Sequence, residues 1–565
     1  MPKLKLPRPR PLPYDALSLS EASWGQKVEA ASRAWAIQGY GAPKTVYAFY
    51  GLKVILFLVC GLFFCSLADG WVTTRPLDEN LLTLESFKRI LLYSMTFELL
   101  GLGCGSGPLT ARYLPPFAAC LHFGRPGTAK LPFLKRVPGF RRTTRGFAEA
   151  LLYWCLIGIS LGNLFGPSVD HVNLSCTLGL LVCLSLSDKT IFLAARGEHY
   201  AVMLFCLLFP QTGLLGPICV QMALWLWAAV SKLTPNFPSV VAAMLSNSPV
   251  VPGGPFRKRL YRDFPQDLRP SRLTHTMAHF GTVLEFAFPL LLLIGDGAQL
   301  TLVGLSLMVL FHAYITSHCP VAVPLEWNFV MVFGGIFLFR DGMPDVDVLA
   351  HAPTVMVVLT LCVFVVPLVG HLAPHRISFL LAMRYYAGNW PYSVWLCKDG
   401  VLERISQAFI TAGGHPKDQL ARLYDREVVE SSMQLVSAFR SVHLQGRVLH
   451  DALPLAYRGV AEQHLEHHDG EVIAGWLLGW NFGDGHLHNE QLVDIVQARC
   501  QFEPGELRCI FVEGQPLLRH SFSWRVYDAA VGLQHRGVSK ISDLVHRQPW
   551  PSSIAHSERE IGGAS

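Results

Sequence analysis

The hydrophobic residues of this chain fall into long runs within residues 45–372, and polar or charged loops separate these runs. A helix that spans a membrane needs about 20 consecutive, mainly apolar residues. Runs of about this length predict helices at 45–67, 87–108, 147–165, 172–194, 273–294, 299–316 and 353–372. The pattern therefore predicts a polytopic α-helical membrane bundle.

Two further apolar stretches are harder to divide. Residues 200–233 are too long for one span and carry two prolines and two glycines near their middle. Because both residue types interrupt helices, we predict two short or tilted helices at roughly 200–214 and 217–233. Residues 328–339 are short for a crossing and would also suit a re-entrant helix. With these stretches, the predicted bundle has nine or ten segments.

The chain changes character near residue 376, where the hydrophobic runs end and charged residues reach an ordinary density. We predict four regions: a cytoplasmic N-terminal arm (1–44), a transmembrane bundle (45–373), a soluble α+β domain (374–550) and a disordered tail (551–565). Periodicity predicts one helix in the arm, at about 24–35. In the C-terminal domain it predicts helices at 401–450 and 489–500, and strands at 471–480 and 507–527.

The distribution of charged residues along the chain indicates its membrane topology and gives no sign of nucleic-acid binding. The net charge is only +6, and hydrophobic residues make up 51% of the chain. Basic residues concentrate in the loops at 112–145 and 234–271. Since loops rich in Lys and Arg remain on the cytoplasmic side, we predict a multi-pass protein of the cell membrane with both termini cytoplasmic. The weak overall charge predicts no nucleic-acid partner.

Ionisable residues inside the apolar runs point to a polar pocket, because a charge near the bilayer centre costs at least about 2.5–3.5 kcal/mol. His275 and His279 are four residues apart and therefore share a helix face. Glu285 follows within about a third of a turn of that face, and Lys232 ends a separate apolar run. We predict that these four residues are catalytic, with Lys232 or a histidine as the general base.

Three more residues are predicted to contact the substrate: Glu98, Trp227 and His312. Other roles stay open for several of these positions. The histidines are also consistent with hydrogen bonds between helices, or with a three-ligand metal site that includes His312. A lysine at a membrane boundary also reaches outward to water, and Glu98 is equally consistent with a structural carboxylate.

The densest polar motif, GWNFGDGHLHNEQ at 479–491, lies in the predicted soluble domain. The spacing of His486 and His488 resembles half of several metal sites, and Asp484 could add an oxygen ligand. The alternative is a turn at GDG followed by Asn489 as a helix cap. The motif therefore predicts either a metal site or a turn with a cap.

Several sequence runs also resemble known families. The runs GWNFGDGHLHNEQL, QFEPGELR, YDAAVGL, HRQPWP, RYYAGNWP and HFGRPGTAKLP resemble an uncharacterised family of bacterial multi-pass membrane proteins. That resemblance spans nearly the whole chain and implies an architecture without a reaction.

A second resemblance is confined to WAAVSKL and GTVLEFAFPLLLL, which are similar to the transmembrane domain related to vitamin K-dependent γ-carboxylase. In that family a lysine deprotonates reduced vitamin K, which would place the base at Lys232 and Glu285 in the similar span. Beyond these two runs the chain departs from the carboxylase, and its C-terminal domain carries other motifs.

Together these features predict a membrane-embedded enzyme that acts on a lipid or another hydrophobic, quinone-like small molecule. Expected cofactors are a divalent metal or a quinone. Expected partners are membrane lipids, the hydrophobic substrate and a soluble protein at the C-terminal domain. The alternatives are a non-catalytic transporter of lipids or small molecules, and a scaffold that docks soluble enzymes. The absence of Walker A, GxSxG and HExxH motifs disfavours an ATP-driven pump.

Overall fold

The computed structural model describes residues 7–103, 118–134, 137, 141–295, 298–319, 321, 323–342, 352–385 and 387–551. The helices of the N-terminal half are α1 Trp24–Gln38, α2 Lys44–Ser66, α3 Leu77–Leu81, α4 Leu84–Leu99, α5 Ala118–Phe123, α6 Phe147–Phe165, α7 His171–Ser187, α8 Lys189–Ala194, α9 Tyr200–Cys206, α10 Leu215–Ser231, α11 Phe237–Asn247 and α12 Pro255–Lys258. A short hairpin, β1 Tyr261–Asp263 and β2 Asp267–Pro270, leads into α13 Arg272–Ile294, α14 Ala298–Thr316 and α15 Leu325–Phe339. The last apolar helix consists of α16 Pro353–Leu359, a π-helical turn Thr360–Val365 and α17 Val366–Leu372.

Among the described residues, five helices are long and apolar enough to cross a membrane: Lys44–Ser66, Phe147–Phe165, Arg272–Ile294, Ala298–Thr316 and Pro353–Leu372. Four shorter apolar helices accompany them, namely α7, α10, α11 and α15. By length and composition, these helices are suited to a membrane. Nine or ten segments would require shorter helices to cross as well, and that number stays a prediction.

The two helices predicted within 200–233 both occur, but the first is short. It spans Tyr200–Cys206, and the chain then passes through a 3₁₀ turn at Pro210–Thr212. Gly213 has a φ of 55°, a conformation that glycine adopts without strain. The chain therefore turns before α10 begins.

The second predicted span ends earlier than its apolar run. Helix α4 stops at Leu99, and the side chain of Thr83 caps its first turn by accepting a hydrogen bond from the Ser86 amide. Twelve of its sixteen residues are buried, so α4 lies inside the bundle. The glycine-rich remainder, from 104 to 108, lies outside the described residues.

The C-terminal region combines helices with one antiparallel sheet, as expected for an α+β domain. Its strands are β3 Tyr392–Cys397, β4 Glu466–Asp469, β5 Leu507–Val512, β6 Ser521–Asp528 and β7 Gly532–Lys540, in the order β4-β3-β5-β6-β7. Its helices are α18 Val401–Ala408, α19 Pro416–Ala421, α20 Arg426–Val442, α21 Leu449–Ala456, α22 Gly470–Leu478, α23 Glu490–Cys500 and α24 Ile541–Leu544. The strands in 507–527 and the helix near 489–500 match the prediction.

The strand predicted at 471–480 is wrong, because these residues form α22. The carboxylate of Asp469 caps the helix by accepting from the Glu471 amide at 2.8 Å, and Gly479 ends it with a φ of 83°. All nine residues of α22 are buried. Apart from Glu471 the run is apolar, and a short apolar run fits a buried strand or a buried helix equally well, so periodicity alone could not separate them.

The apolar core does not stop at the predicted boundary near residue 374. One cluster of buried side chains includes Phe87 and Trp225 from the bundle together with Trp395 and Trp480 from the C-terminal region. Polar contacts cross the same boundary: the ammonium of Lys189 donates to the carbonyl of His486 at 2.9 Å. The C-terminal region therefore packs directly on the helices.

The N-terminal arm contains the expected helix, which is packed into the structure. Helix α1 contacts α20 and α11, and Trp35 is fully buried. The Trp35 indole donates to the carbonyl of Ala243 in α11 at 3.0 Å. The predicted disordered tail lies outside the described residues from 552 onward.

Candidate functional site

The candidate site is centred on Lys232, which follows the last residue of α10. Pro235, three residues later, cannot continue a helix. The chain turns there and starts α11 at Phe237. The lysine side chain stays inside the protein, with 3% of its surface exposed. Lys232 therefore does not extend to water, which was one of the two roles left open by its sequence position.

The ammonium of Lys232 donates a hydrogen bond to Oε2 of Glu285 on α13. The Glu285 side chain is 4% exposed, so both charges are buried. The rings of Phe237 and Phe311 lie 5.7 and 5.6 Å from the lysine nitrogen. Aromatic faces at that distance attract a cation. The Lys232 amine thus lies between the carboxyl group of Glu285 and two aromatic rings.

The backbone carbonyl of Glu285 lacks its usual hydrogen-bond donor within helix α13. Pro289 lies inside the helix and lacks the amide hydrogen that would bond to the carbonyl of Glu285. Local sequence therefore interrupts the helical hydrogen-bond ladder at the residue that pairs with Lys232. The start of the helix is conventional, since Ser271 caps it by accepting from the Thr274 amide at 3.3 Å.

An apolar pocket of about 60 Å³ adjoins Lys232 between α11, α13 and α14. Its walls are formed by Phe237, Val240, Val241, Met244, Met277, Gly281, Phe311, Tyr314, Ile315 and His318. A Cβ atom built on Gly281 would meet no atom within 4 Å, so there is empty space beside the helix at that point. The pocket has the mixture of apolar walls and a few polar groups that is typical of small-molecule sites.

Lys232 has hydrogen-bonding capacity to spare. An ammonium carries three donors, and among the described residues Glu285 is its single hydrogen-bond acceptor. Lys232 also lines the pocket. A molecule in the pocket that carries an oxygen acceptor could therefore bind the remaining N–H groups.

The structure separates the four residues predicted to be catalytic into two pairs. Lys232 and Glu285 come together, whereas His275 and His279 are exposed on the outer face of α13 and do not line the pocket. The catalytic assignment of all four residues stays a prediction. Glu285 lies about a third of a turn from the histidine face, and that rotation is enough to place one side chain inside and the others outside.

The three residues predicted to contact substrate have other partners. The Nδ1 atom of His312 lies 2.8 Å from Oδ1 of Asn328, and its Nε2 accepts from the indole of Trp225 at 3.1 Å. The indole of Trp227 donates to the carbonyl of Val363 at 2.8 Å. None of His312, Trp227 and Glu98 is among the residues that line the pocket beside Lys232.

Glu98 is buried near the end of α4. His312 directly follows Phe311, a residue of the pocket wall. Its bonds to α10 and α15 match the alternative of a histidine that joins neighbouring helices.

The residues predicted to bind a metal do not converge on one point. The Nε2 atom of His486 lies 2.9 Å from Oε1 of Glu513, and its Nδ1 lies 3.7 Å from Oδ1 of Asp484. His488 has a different partner, with Nδ1 2.7 Å from Oγ of Ser393. Within the described ranges, no group of three or more His, Cys, Asp or Glu residues is arranged to hold a metal ion. The metal assignment stays a prediction.

Electrostatics distinguishes these two histidines. Burial alone would lower the pKa of His486, but the carboxylates of Glu513 and Asp484 raise it above its usual value. Burial and the nearby cation of Arg440 lower the pKa of His488 well below the ordinary range. The two imidazoles of the motif thus differ, because the surroundings favour the protonated form of His486 and the neutral form of His488.

The turn-and-cap alternative describes much of the motif. The side chain of Asn489 accepts from the Gln491 amide at 3.0 Å and caps α23. Gly483 has a φ of 65°, and Asp484 accepts from the His486 amide at 3.1 Å. These contacts are those of a turn that leads into a helix.

A family model described as "Transmembrane protein of unknown function (DUF3556)" matches residues 8–557. The chain belongs to this family. The match covers nearly the whole chain and confirms the predicted membership of an uncharacterised membrane family. Together with the apolar helices, it supports a location in a membrane. No curated protein and no solved structure matches it. A bacterial origin, the carboxylase resemblance, the cell membrane and cytoplasmic termini stay predictions.

Sequence reasoning missed most of the pocket wall in the DUF3556 chain. Met244, Met277 and Tyr314 lie on three different helices, and nothing in their local sequence distinguishes them from core residues. It also missed a second ion pair between apolar helices, in which Lys53 of α2 lies 2.7 Å from Glu326 of α15. Lys53 and Glu326 could have been found from sequence, because each is a charged residue within an apolar run.

Proposed function

We propose that this protein binds a hydrophobic small molecule in the pocket beside Lys232 and that the Lys232–Glu285 pair moves a proton to or from its polar head. The observation that carries the proposal is the position of this buried ion pair at the wall of an otherwise apolar pocket. Buried charges within membrane helices are costly and usually mark a functional site. The proposed substrate is a lipid or a quinone-like molecule with an oxygen-bearing head.

The chemistry follows from the two protonation states of the pair. With the proton on Lys232, the ammonium donates hydrogen bonds to the oxygen of the bound head and stabilises negative charge there. Transfer of that proton to Glu285 gives a neutral amine and a carboxylic acid, and the amine can then accept a proton from the substrate. A low-polarity pocket favours this neutral pair more than water would.

The apolar walls would select the rest of the molecule. The side chains of Met244, Met277 and Ile315 offer flexible and branched hydrocarbon surface. Gly281 in the pocket wall belongs to α13, a helix that is apolar enough to cross the membrane. A substrate that is dissolved in the membrane would therefore have a short route to the pocket.

The decisive variant fills the pocket and leaves the ion pair in place. Gly281→Leu adds a side chain where a Cβ atom meets no neighbour, so we expect a folded protein with an obstructed pocket. Gly158→Leu is the matched control, because Gly158 on α6 also has no atom within 4 Å of a built Cβ and is not a pocket residue. Cells that lack the protein are complemented with each variant, and their lipids and small molecules are profiled.

The proposal expects a precursor that accumulates with Gly281→Leu and with a double variant Lys232→Met/Glu285→Leu, and a normal profile with Gly158→Leu. A normal profile with both pocket variants would reject it. Unaltered molecules with a changed distribution between membranes would favour the transporter alternative. Unaltered profiles together with lost binding of a soluble protein would favour the scaffold alternative.

A further inference from the structure

Four exposed cations surround the start of α13 and are here called the basic rim: Lys258, Arg259, Arg262 and Arg272. Lys258 ends α12 and Arg259 follows it, Arg262 lies on β1, and Arg272 is the first residue of α13. The short hairpin between α12 and α13 therefore brings positions 14 residues apart in sequence to the same end of one helix.

Two members of the basic rim have contacts within the protein: Arg262 donates to the carbonyl of Pro270 at 3.4 Å, and the Lys258 ammonium lies 5.4 Å from the centre of the Phe264 ring. Among the described residues, none of these four side chains forms an ion pair. The neighbouring Arg269 does form one, since it lies 2.5 Å from Asp267. Asp263 is the exposed acid within the fully described segment 257–279. The segment thus presents four exposed cations and one exposed acid.

The helix that leaves the basic rim has the surface of a lipid-facing helix. Further along α13, the side chains of Phe280, Val283 and Ile294 are 63%, 62% and 65% exposed. The helix is long and apolar enough to cross a membrane. Large apolar side chains exposed along such a helix contact acyl chains. If this face of α13 contacts acyl chains, the basic rim would lie at the level of the lipid headgroups.

His275 and His279 lie between the rim and this apolar face. Both are exposed, and their ring centroids are 6.5 Å apart. At 1.5 Å per residue they lie roughly 4.5 and 10 Å beyond Arg272 along the helix. The polar layer on each side of a bilayer is about 5–7.5 Å thick, so His275 would lie within it and His279 at the edge of the hydrocarbon core. An imidazole N–H there can donate to a phosphate or ester oxygen.

We propose that the basic rim, with His275 and His279 beneath it, is a binding surface for anionic phospholipid headgroups. The cations match the negative charge, and the adjoining apolar face of α13 matches the acyl chains of the same molecule. A soluble phosphate would use the first feature and not the second. The surface gives the two exposed histidines a role that does not involve the pocket at Lys232.

The test uses the full chain, purified in detergent, with added phosphatidylglycerol or phosphatidylcholine of identical acyl chains. The apparent affinity is read from the rise in melting temperature, and bound lipid is counted by native mass spectrometry. We expect phosphatidylglycerol to bind more tightly than phosphatidylcholine, and more weakly as salt is raised. In Arg259→Gln/Arg272→Gln, the affinity for phosphatidylglycerol should fall on the order of tenfold.

The control is Arg422→Gln/Arg426→Gln, which removes two exposed cations that form no ion pair among the described residues. It should bind phosphatidylglycerol like the wild type, and without lipid all three proteins should melt alike. Unchanged affinity in the rim variant would overturn the proposal, as would equal binding of both lipids by the wild type. Equal stabilisation by inorganic phosphate would also overturn it, because the rim would then be a site for a soluble anion.

Discussion

Lys232 and Glu285 show how much one residue pair depends on its surroundings. The same two side chains at the protein surface would contribute little, since exposed ion pairs are worth about 0–1 kcal/mol. Here both are buried, so each charge depends on the other. The second buried pair, Lys53 with Glu326, has the same composition and is not part of the pocket. The pair Lys53–Glu326 therefore serves as a control: it is also a Lys–Glu ion pair between helices, but the proposed function does not involve it.

Removing one charge should destabilise the protein more than removing both. In Lys232→Met, an unpaired carboxylate remains buried, and the expected loss is about 3–5 kcal/mol. In Lys232→Met/Glu285→Leu no charge remains, and we expect stability close to that of the wild type. Unfolding in detergent, followed by tryptophan fluorescence, measures both.

The corresponding variants of the second pair, Lys53→Met and Lys53→Met/Glu326→Leu, should follow the same order of stability. They should leave the small-molecule profile of complemented cells unchanged. A double variant at Lys232 that is as unstable as the single one would show that the pair is not acting as two mutually dependent charges.

At the scale of elements, helix α1 departs from the usual behaviour of a polar N-terminal arm. Its alanine and tryptophan side chains face inward, and Trp35 packs against Phe439 with ring centroids 5.4 Å apart. Arg33 on the same helix approaches the ring of Trp550 near the other end of the chain. The arm thus joins α11 to the C-terminal region.

Trp35→Ala should therefore destabilise the whole protein and not merely loosen the arm. Truncation of a fully buried tryptophan costs about 3–5 kcal/mol. Leu17→Ala in the same arm is the control, because Leu17 is 38% exposed and should change stability by less than about 0.5 kcal/mol. Thermal unfolding of the purified variants measures the difference, and equal melting temperatures would contradict a packed arm.

The helices and strands could be predicted wherever the hydrophobic pattern or the residues that begin and end an element were distinct. The long apolar runs predicted α2, α6, α13 and α14 closely, and the strands of 507–527 were recognised. Helix α22 was missed because a buried run of nine residues has no polar face to reveal its period. Its cap at Asp469 and the glycine that ends it were the available signals.

At the scale of the whole molecule, the bundle and the C-terminal sheet are not separate bodies with an open linker. Their buried side chains form one cluster, and Tyr385 just after the last apolar helix donates to Oε1 of Glu198 at 2.7 Å. The amide of Asn236 next to α11 donates to Oε1 of Gln515 at 3.1 Å. The C-terminal region is therefore close enough to influence the helices that form the pocket.

A fragment of residues 374–551 should consequently be a poor soluble domain. Separation from the bundle would expose apolar surface that the shared cluster now covers. We expect the fragment to aggregate, or to bind a hydrophobic dye strongly, while the full chain in detergent does neither to the same extent. A monomeric fragment with sharp thermal unfolding and little dye binding would show that the sheet region folds independently.

The sequence by itself determined the class of this protein, because length and hydropathy decide which segments suit a membrane. It also identified Lys232 and Glu285 as candidates, since charges within apolar runs are costly wherever the helices pack. Only the tertiary structure decided that these two residues meet and that His275 and His279 face outward. The reason is that a rotation of about a third of a turn on a helix moves a side chain from the interior to the surface. That rotation is set by packing against α10, α11 and α14, on residues distant in the chain.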